Sequence, residues 1–353
     1  MRCGAPITTI LLLAATVAAP GAVRWNDINK QSAEWYAGDE ARAIAASIVQ
    51  YQTLEGGWPK NTDMTSPPSA AFLAETKFDH RAPTIDNDAT TTQLTYLAHA
   101  LTAKDDKALR AAFDRGFDYL LAAQYANGGW PQYFPLIPGY YTRITYNDNA
   151  MVNVLVLLRG VGRGEAPYSF TTVEQRPLAL AAVKRGVECI LRTQVRQNGK
   201  LTAWCAQHDE NTFEPAWARN FEPPSLSGSE SVGIVEFLMG EGQLDARIVA
   251  AVESVVHWFE SVRITGLWVD ESPGPDGKRD RHAVANPAAP ALWARFYELG
   301  TNRPIFTGRD KVVRYDFNAI ERERRTGYRY LSDWPASLLE KDYPRWRAKN
   351  KLP

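Results

Sequence analysis

The chain predicts an all-α fold, an (α/α) toroid of helical hairpins with a groove on one face. Three observations carry this. A turn of unusual composition returns: Gln52-Thr53-Leu54-Glu55-Gly56-Gly57-Trp58-Pro59 closes one apolar stripe, and Gln124-Tyr125-Ala126-Asn127-Gly128-Gly129-Trp130-Pro131 closes the next. Weaker copies follow around Gly199, Gly266 and Gly327 (with Trp334), at intervals of roughly 60–70 residues, the length of two helices with their loops. Strand signals between the copies are sparse, so hairpin stacked on hairpin is the architecture that buries the apolar stripes.

The elements follow in order. Arg2 precedes an apolar run from Ile7 to Ala19 that ends in small residues; this reads as a signal peptide over residues 1–22, too short to span a membrane. Residues 23–353 then form one domain. Glu40 to Gln52 places Ile44, Ile48, Val49 and Tyr51 on a helical stripe, and Arg110–Ala123 is the matching helix before the second Gly-Gly-Trp turn. Between the turns lie the second helices of each unit: Ala89–Thr102, Ala150–Arg159, Ser231–Met239 and Pro290–Leu299. Glycine at the turns supplies positive φ and tryptophan packs between hairpins, so the turns are structural staples. The loops after them open on one face, where a site is built.

Composition narrows the function. The 353 residues are 45% hydrophobic, enough for a large core, and carry 40 basic and 40 acidic side chains. A formal net charge of zero gives no global attraction for nucleic acid or an anionic membrane, so any acidic ligand must be met by local arginines. With 11 Trp and 15 Tyr the chain is rich in surfaces for ring-shaped ligands. Cys189 and Cys205 are either a disulfide, as a secreted chain permits, or two buried thiols, and no Cys/His cluster has zinc-site spacing.

Two near-copies of a polar motif open the second helices: Thr84-Ile85-Asp86-Asn87-Asp88-Ala89 and Thr145-Tyr146-Asn147-Asp148-Asn149-Ala150. Helix capping explains one acid at each place. It does not explain the copying. At the same end of adjacent hairpins, Asp86, Asp88 and Asp148 converge with the amides of Asn87 and Asn147, hard oxygen donors of the kind that suit Ca²⁺ and leave room for substrate oxygens.

The stretch from Trp204 to Glu236 is too long and too aromatic to be a plain connector, and reads as an ordered loop over the site. It carries Arg219 between Glu214 and Glu222. Further on, Arg295 is expected on the helix with Trp293, and Arg303 and Arg309 in a turn-rich loop. Arginine grips carboxylates with two parallel bonds. Acids on one set of loops and arginines on another suit a metal-bridged polyanion, against the plainer reading that the arginines only pair with neighbouring acids.

Together, Gly56 to Lys60, Thr84 to Asn87, Gly128 to Phe134, Asn147 to Met151, Ala218-Arg219, Pro224 to Glu230 and Phe306 to Asp310 resemble the pectate lyases of polysaccharide lyase family 10, over about Gln50 to Trp346. The resemblance implies an (α/α) toroid and calcium-dependent β-elimination of polygalacturonate. It implies Arg219 as the base that takes the C5 proton, Arg295, Arg309 and Asn87 as substrate-binding residues, and Asp86 and Asp148 as calcium ligands. It further implies a secreted monomer, extracellular or periplasmic, whose partner is the pectate chain. An α/α-toroid glycoside hydrolase, with Asp148 and Glu222 or Glu236 as its carboxylates, and a non-catalytic pectin-binding protein remain open alternatives.

Overall fold

The computed structural model describes residues 23–242 and 245–352; the segment assigned to a signal peptide, residues 1–22, lies outside the described residues. Among the described residues the long helices are Asp39–Tyr51, Thr91–Ala103, Lys107–Ala122, Ala150–Arg163, Gln175–Thr193, Glu230–Met239 and Ala246–Ser261. Their ends have local causes. The Asp106 carboxylate accepts from the backbone N–H of Ala108 and Leu109, and Asp245 caps Arg247 in the same way. Ala150–Arg163 stops at Gly164, whose φ of 62° is left-handed.

Thr91–Ala103, Ala150–Arg163 and Glu230–Met239 touch in succession, and each packs against its own antiparallel companion: Lys107–Ala122, Gln175–Thr193 and Ala246–Ser261. The protein is therefore mostly helical, with helices paired at the predicted period. Among the described residues the strands form only two-stranded sheets, the longest being the hairpin Leu267–Pro273 with Arg279–Ala285.

The staple turns are built alike. Gln52 Nε2 donates to the carbonyls of Gly56 and Ala112, Gln124 Nε2 to those of Gly128 and Ala182, and Gln194 Nε2 to those of Thr202 and Ala251. Each glutamine thus ties its own turn to the next outer helix. Glycine is required at one point in the first two: Gly56 and Gly128 have φ of 102° and 94°, and a Cβ would lie 2.4 Å from the carbonyl oxygen of Arg115 and 2.0 Å from that of Arg185. Trp58, Trp130 and Trp204 are fully buried, each donating its indole N–H to a helix carbonyl at 2.8 Å, of Ile48, Leu120 and Ile190.

These tryptophans also set the polar motifs. The carbonyls of Trp58, Trp130 and Trp204 accept from the N–H of Thr84, Thr145 and Ser227. Each staple thereby places the residue two positions before Asp86, Asn147 or Ser229.

The fourth unit departs from expectation. Pro290–Leu299 is not a helix; Trp293–Ala294 and Phe296–Tyr297 are strands that pair with Leu331–Ser332 and Leu226–Ser227. Trp293, Ala294, Phe296 and Tyr297 are buried, and aromatic residues favour the extended chain where strand partners await them. Gly266 leads into the long hairpin, leaving Trp268 45% exposed, and the staple role passes to Trp293, whose indole donates to Phe259 at 2.8 Å. Gly327 ends a short helix, Arg322–Gly327, and makes no staple. Cys189 and Cys205 are buried free thiols.

Candidate active site

Asp86–Asp88 and Asn147–Asn149 form matching 3-10 turns whose middle residues, Asn87 and Asp148, share a φ of 50°. Asp88 and Asn149 follow at 60° and 61°. Left-handed backbone at two successive non-glycine residues is costly, and asparagine and aspartate tolerate it best. The register therefore aligns Asp86 with Asn147, Asn87 with Asp148 and Asp88 with Asn149. The two predicted calcium ligands are not equivalent positions of the repeat.

Asp86 is buried and receives the Lys60 ammonium at 2.5 Å. Burial works against the lysine's charge, but Asp86 outweighs it and holds the ammonium above its usual range. Asn87 is exposed and donates to Asn61 at 2.9 Å, at the edge of a cavity of about 440 Å³ lined also by Arg24, Trp25 and Asp63. Asp88 accepts from Asn153 at 2.5 Å; burial, then the charges of Asp148 and Asp86, push its carboxyl above the normal range. Asp88 therefore feels the charge of both other acids.

Asp148 is 40% exposed and links this cluster to the arginines. Arg295 Nη2 donates to Asp148 at 2.9 Å and also to Glu230, a buried carboxylate at the start of Glu230–Met239. Arg295 is itself buried, on the connection between two strands rather than on a helix. Its guanidinium lies 4.7 Å from the centroid of the Tyr328 ring, which Arg219 approaches from 5.9 Å. Phe221 meets Tyr328 edge to face at 5.3 Å and is covered by Arg219 at 4.8 Å, Arg309 at 5.6 Å and Arg324 at 4.4 Å. Four arginines from four segments thus share one aromatic floor.

Arg219 does not stand free. Its Nε and Nη2 donate to the two oxygens of buried Glu222 at 2.8 and 2.5 Å, and Tyr328 donates to the same carboxylate at 2.9 Å. Burial acts to lower the Arg219 pKa, but the hydrogen bonds and charge of Glu222 overcome it and hold the guanidinium above its ordinary value. The acid-pairing expected as the plainer alternative for the arginines is present here, and again where Arg309 meets Glu323 at 3.0 Å through two nitrogens. Arg303 lies apart, over Tyr315 at 3.6 Å.

The donor set fits a hard divalent cation. Asp86, Asp88, Asp148 and Glu230 carry four negative charges against the two positive charges of Lys60 and Arg295, a surplus of two, and every donor is oxygen. Among the described residues no three His, Cys, Asp or Glu side chains are gathered closely enough to hold a metal by themselves. Asp148 offers accessible oxygens. Asp86 has its Oδ2 engaged by Lys60.

Lys60, Glu230, Arg324, Phe221 and Tyr328 escaped assignment from sequence. Lys60 had a signal, since it follows the first staple turn. Glu230 had a weaker one: Thr84, Thr145 and Ser227 are equivalent in their bonds to the tryptophans, so Glu230 occupies the place of Asn87 and Asp148. Arg324 and Tyr328 had none.

A family model for pectic acid lyase matches residues 52–339. A family 10 polysaccharide lyase from Cellvibrio cellulosa is similar at 33% identity, with a TM-score of 0.77 over 91% of this chain and 94% of that one. An aspartate-to-alanine mutant of a family 10 polysaccharide lyase from the same organism, in complex with trigalacturonic acid, is similar at 33% identity with a TM-score of 0.76, over 91% and 95% of the two chains. No curated protein matches.

Proposed function

The chain belongs to the pectic acid lyase family, as a pectate lyase of polysaccharide lyase family 10, and from that premise we propose that it cleaves polygalacturonate by β-elimination across the acid and arginine clusters just described. Its helical hairpins are then the members of an (α/α) toroid, residues 23–353 are a single domain, and the protein acts outside the cytoplasm after loss of residues 1–22. The single observation carrying the reading is the Tyr328 ring: it is shared by Arg219 and Arg295, and Arg295 in turn holds Asp148. This sharing supports a reading in which base, grip and acid act together.

In the reaction a base removes the C5 proton of a galacturonate, the electron pair forms the C4–C5 double bond, and the glycosidic oxygen leaves from C4 with the pair of its broken bond. Arg219 is the base. It takes the proton after giving up one of its own, and its contact with Glu222 sets how alkaline the medium must be. Arg295 and Arg309 hold substrate carboxylates by paired hydrogen bonds, and Asn87 offers its exposed amide. Asp86 and Asp148 are the residues to hold calcium, which when bound neutralises the C6 carboxylate and makes the adjacent proton more acidic.

A glycoside hydrolase would need two carboxylates facing the scissile bond. Glu222 is saturated by Arg219 and Tyr328, which argues against it. The deciding assay follows ultraviolet absorbance of unsaturated product from polygalacturonate with and without a chelator. Reducing ends without that absorbance would reject elimination.

A further inference from the structure

Beyond Phe221 the pattern of cation over ring continues once more. Lys311 Nζ lies 4.6 Å from the centroid of the Trp217 ring. Trp217 is half-buried and Lys311 exposed, in left-handed backbone with φ 65°. The two loops that carry them are tied together where Asn220 donates to the carbonyl of Arg309 at 3.3 Å. Nearby acids are already engaged: Asp310 with Arg314 at 2.6 Å and Glu323 with Arg309. Among the described residues no carboxylate lies within salt-bridge reach of Lys311.

The pairing seen near the acid cluster, Tyr328 under Arg295 and Phe221 under Arg219 and Arg309, is repeated by Trp217 under Lys311 on the loops that carry Arg219 and Arg309. A polyuronate repeats the same two features along its length, a sugar face with C–H groups and a carboxylate. Phe221 is buried beneath its arginines, whereas half-buried Trp217 with Lys311 suits both features of one such repeat. We propose that Trp217 and Lys311 form a distal subsite for a galacturonate residue beyond the one held by Arg309. The indole takes the sugar face and the ammonium takes the carboxylate.

This inference rests on the groove having the polarity of the proposed function, but not on which residue is the base. A subsite away from the bond being cut matters only to chains long enough to reach it. The test compares kcat/KM on polygalacturonate with kcat/KM on trigalacturonic acid for the parent, Trp217→Ala and Lys311→Met; the methionine keeps the stem and removes the charge. The expected result is that the polymer-to-trimer ratio falls about tenfold in each variant, as loss of one cation and ring contact implies. A ratio equal to the parent's overturns the subsite, whether both rates hold or both drop together. The parent ratio at rising salt is a second readout: it should fall in the parent and fall less in Lys311→Met. A wrong base assignment shows instead in the turnover of Arg219 variants and leaves these ratios alone.

Discussion

Replacing Glu222 by Gln tests whether Arg219 is the base and whether its resting partner governs the pH at which it works. The carboxylate accepts from Arg219 Nε and Nη2 and from the Arg219 backbone N–H at 3.1 Å. It is the dominant influence holding the guanidinium protonated. Glutamine keeps the shape and the bond from Tyr328 but removes the charge. An opposite charge at hydrogen-bond range moves a pKa by about 1–3 units; the Arg219 side chain is 43% exposed, so screening sets the change near the lower end, about 1 unit. The sign is fixed. Glu222 favours protonated Arg219, so its loss lowers the arginine's pKa and moves the rising alkaline limb of kcat/KM to lower pH. Below the limb, activity relative to the variant's own plateau should increase about tenfold. The assay is initial rate of unsaturated product against pH, with calcium saturating. A limb at the parental pH, with rates depressed throughout, would show that Glu222 only positions the loop or that another group takes the proton.

Other outcomes follow from the same site. Arg219→Ala should lose about 10²–10⁴-fold in turnover and Arg219→Lys nearly as much, since lysine lacks the planar fork; turnover within about threefold of the parent at alkaline pH rejects the base assignment against that scale. Asp148→Ala should raise the calcium concentration needed for half-maximal rate, or abolish turnover, with the helical circular dichroism retained; full activity of chelator-treated protein in metal-free buffer would remove calcium from the scheme. Buried His208 accepts from the Cys205 N–H and donates to the Phe213 carbonyl, and burial drives its pKa down to about 4. The unfolded chain then binds a proton that the folded one refuses. Stability is therefore lost as pH falls from about 6.5 toward 4, by up to about 3 kcal/mol, and thermal unfolding of His208→Asn should show a shallower pH slope over that window. Gly128→Ala puts a Cβ 2.0 Å from the Arg185 carbonyl oxygen at a φ of 94° and should cost about 3 kcal/mol in denaturant unfolding; an unmoved midpoint would mean the staple gives way easily.

The sequence by itself determined the helical period, the staple turns and the two acid motifs, because each is local chemistry. A glycine at positive φ, an indole buried against its own helix and an Asp-Asn turn leave marks within about ten residues of chain, the scale over which a helical stripe repeats. Thus Trp58 and Trp130 were readable, whereas Trp293, carried past the inserted hairpin to donate to Phe259, was not. For the same reason Pro290–Leu299 reads as a helix in sequence: only the waiting strands Leu226–Ser227 and Leu331–Ser332, which pair with its buried residues Trp293, Ala294, Phe296 and Tyr297, make it extended. Tertiary structure alone decided how the charges are shared. Arg295 serves Asp148 and Glu230 at once, Lys60 crosses to Asp86, and Tyr328 brings Arg219 beside Arg295. Such contacts join residues far apart in the chain, and their strength depends on burial and on the third group present, neither of which is encoded at any one position.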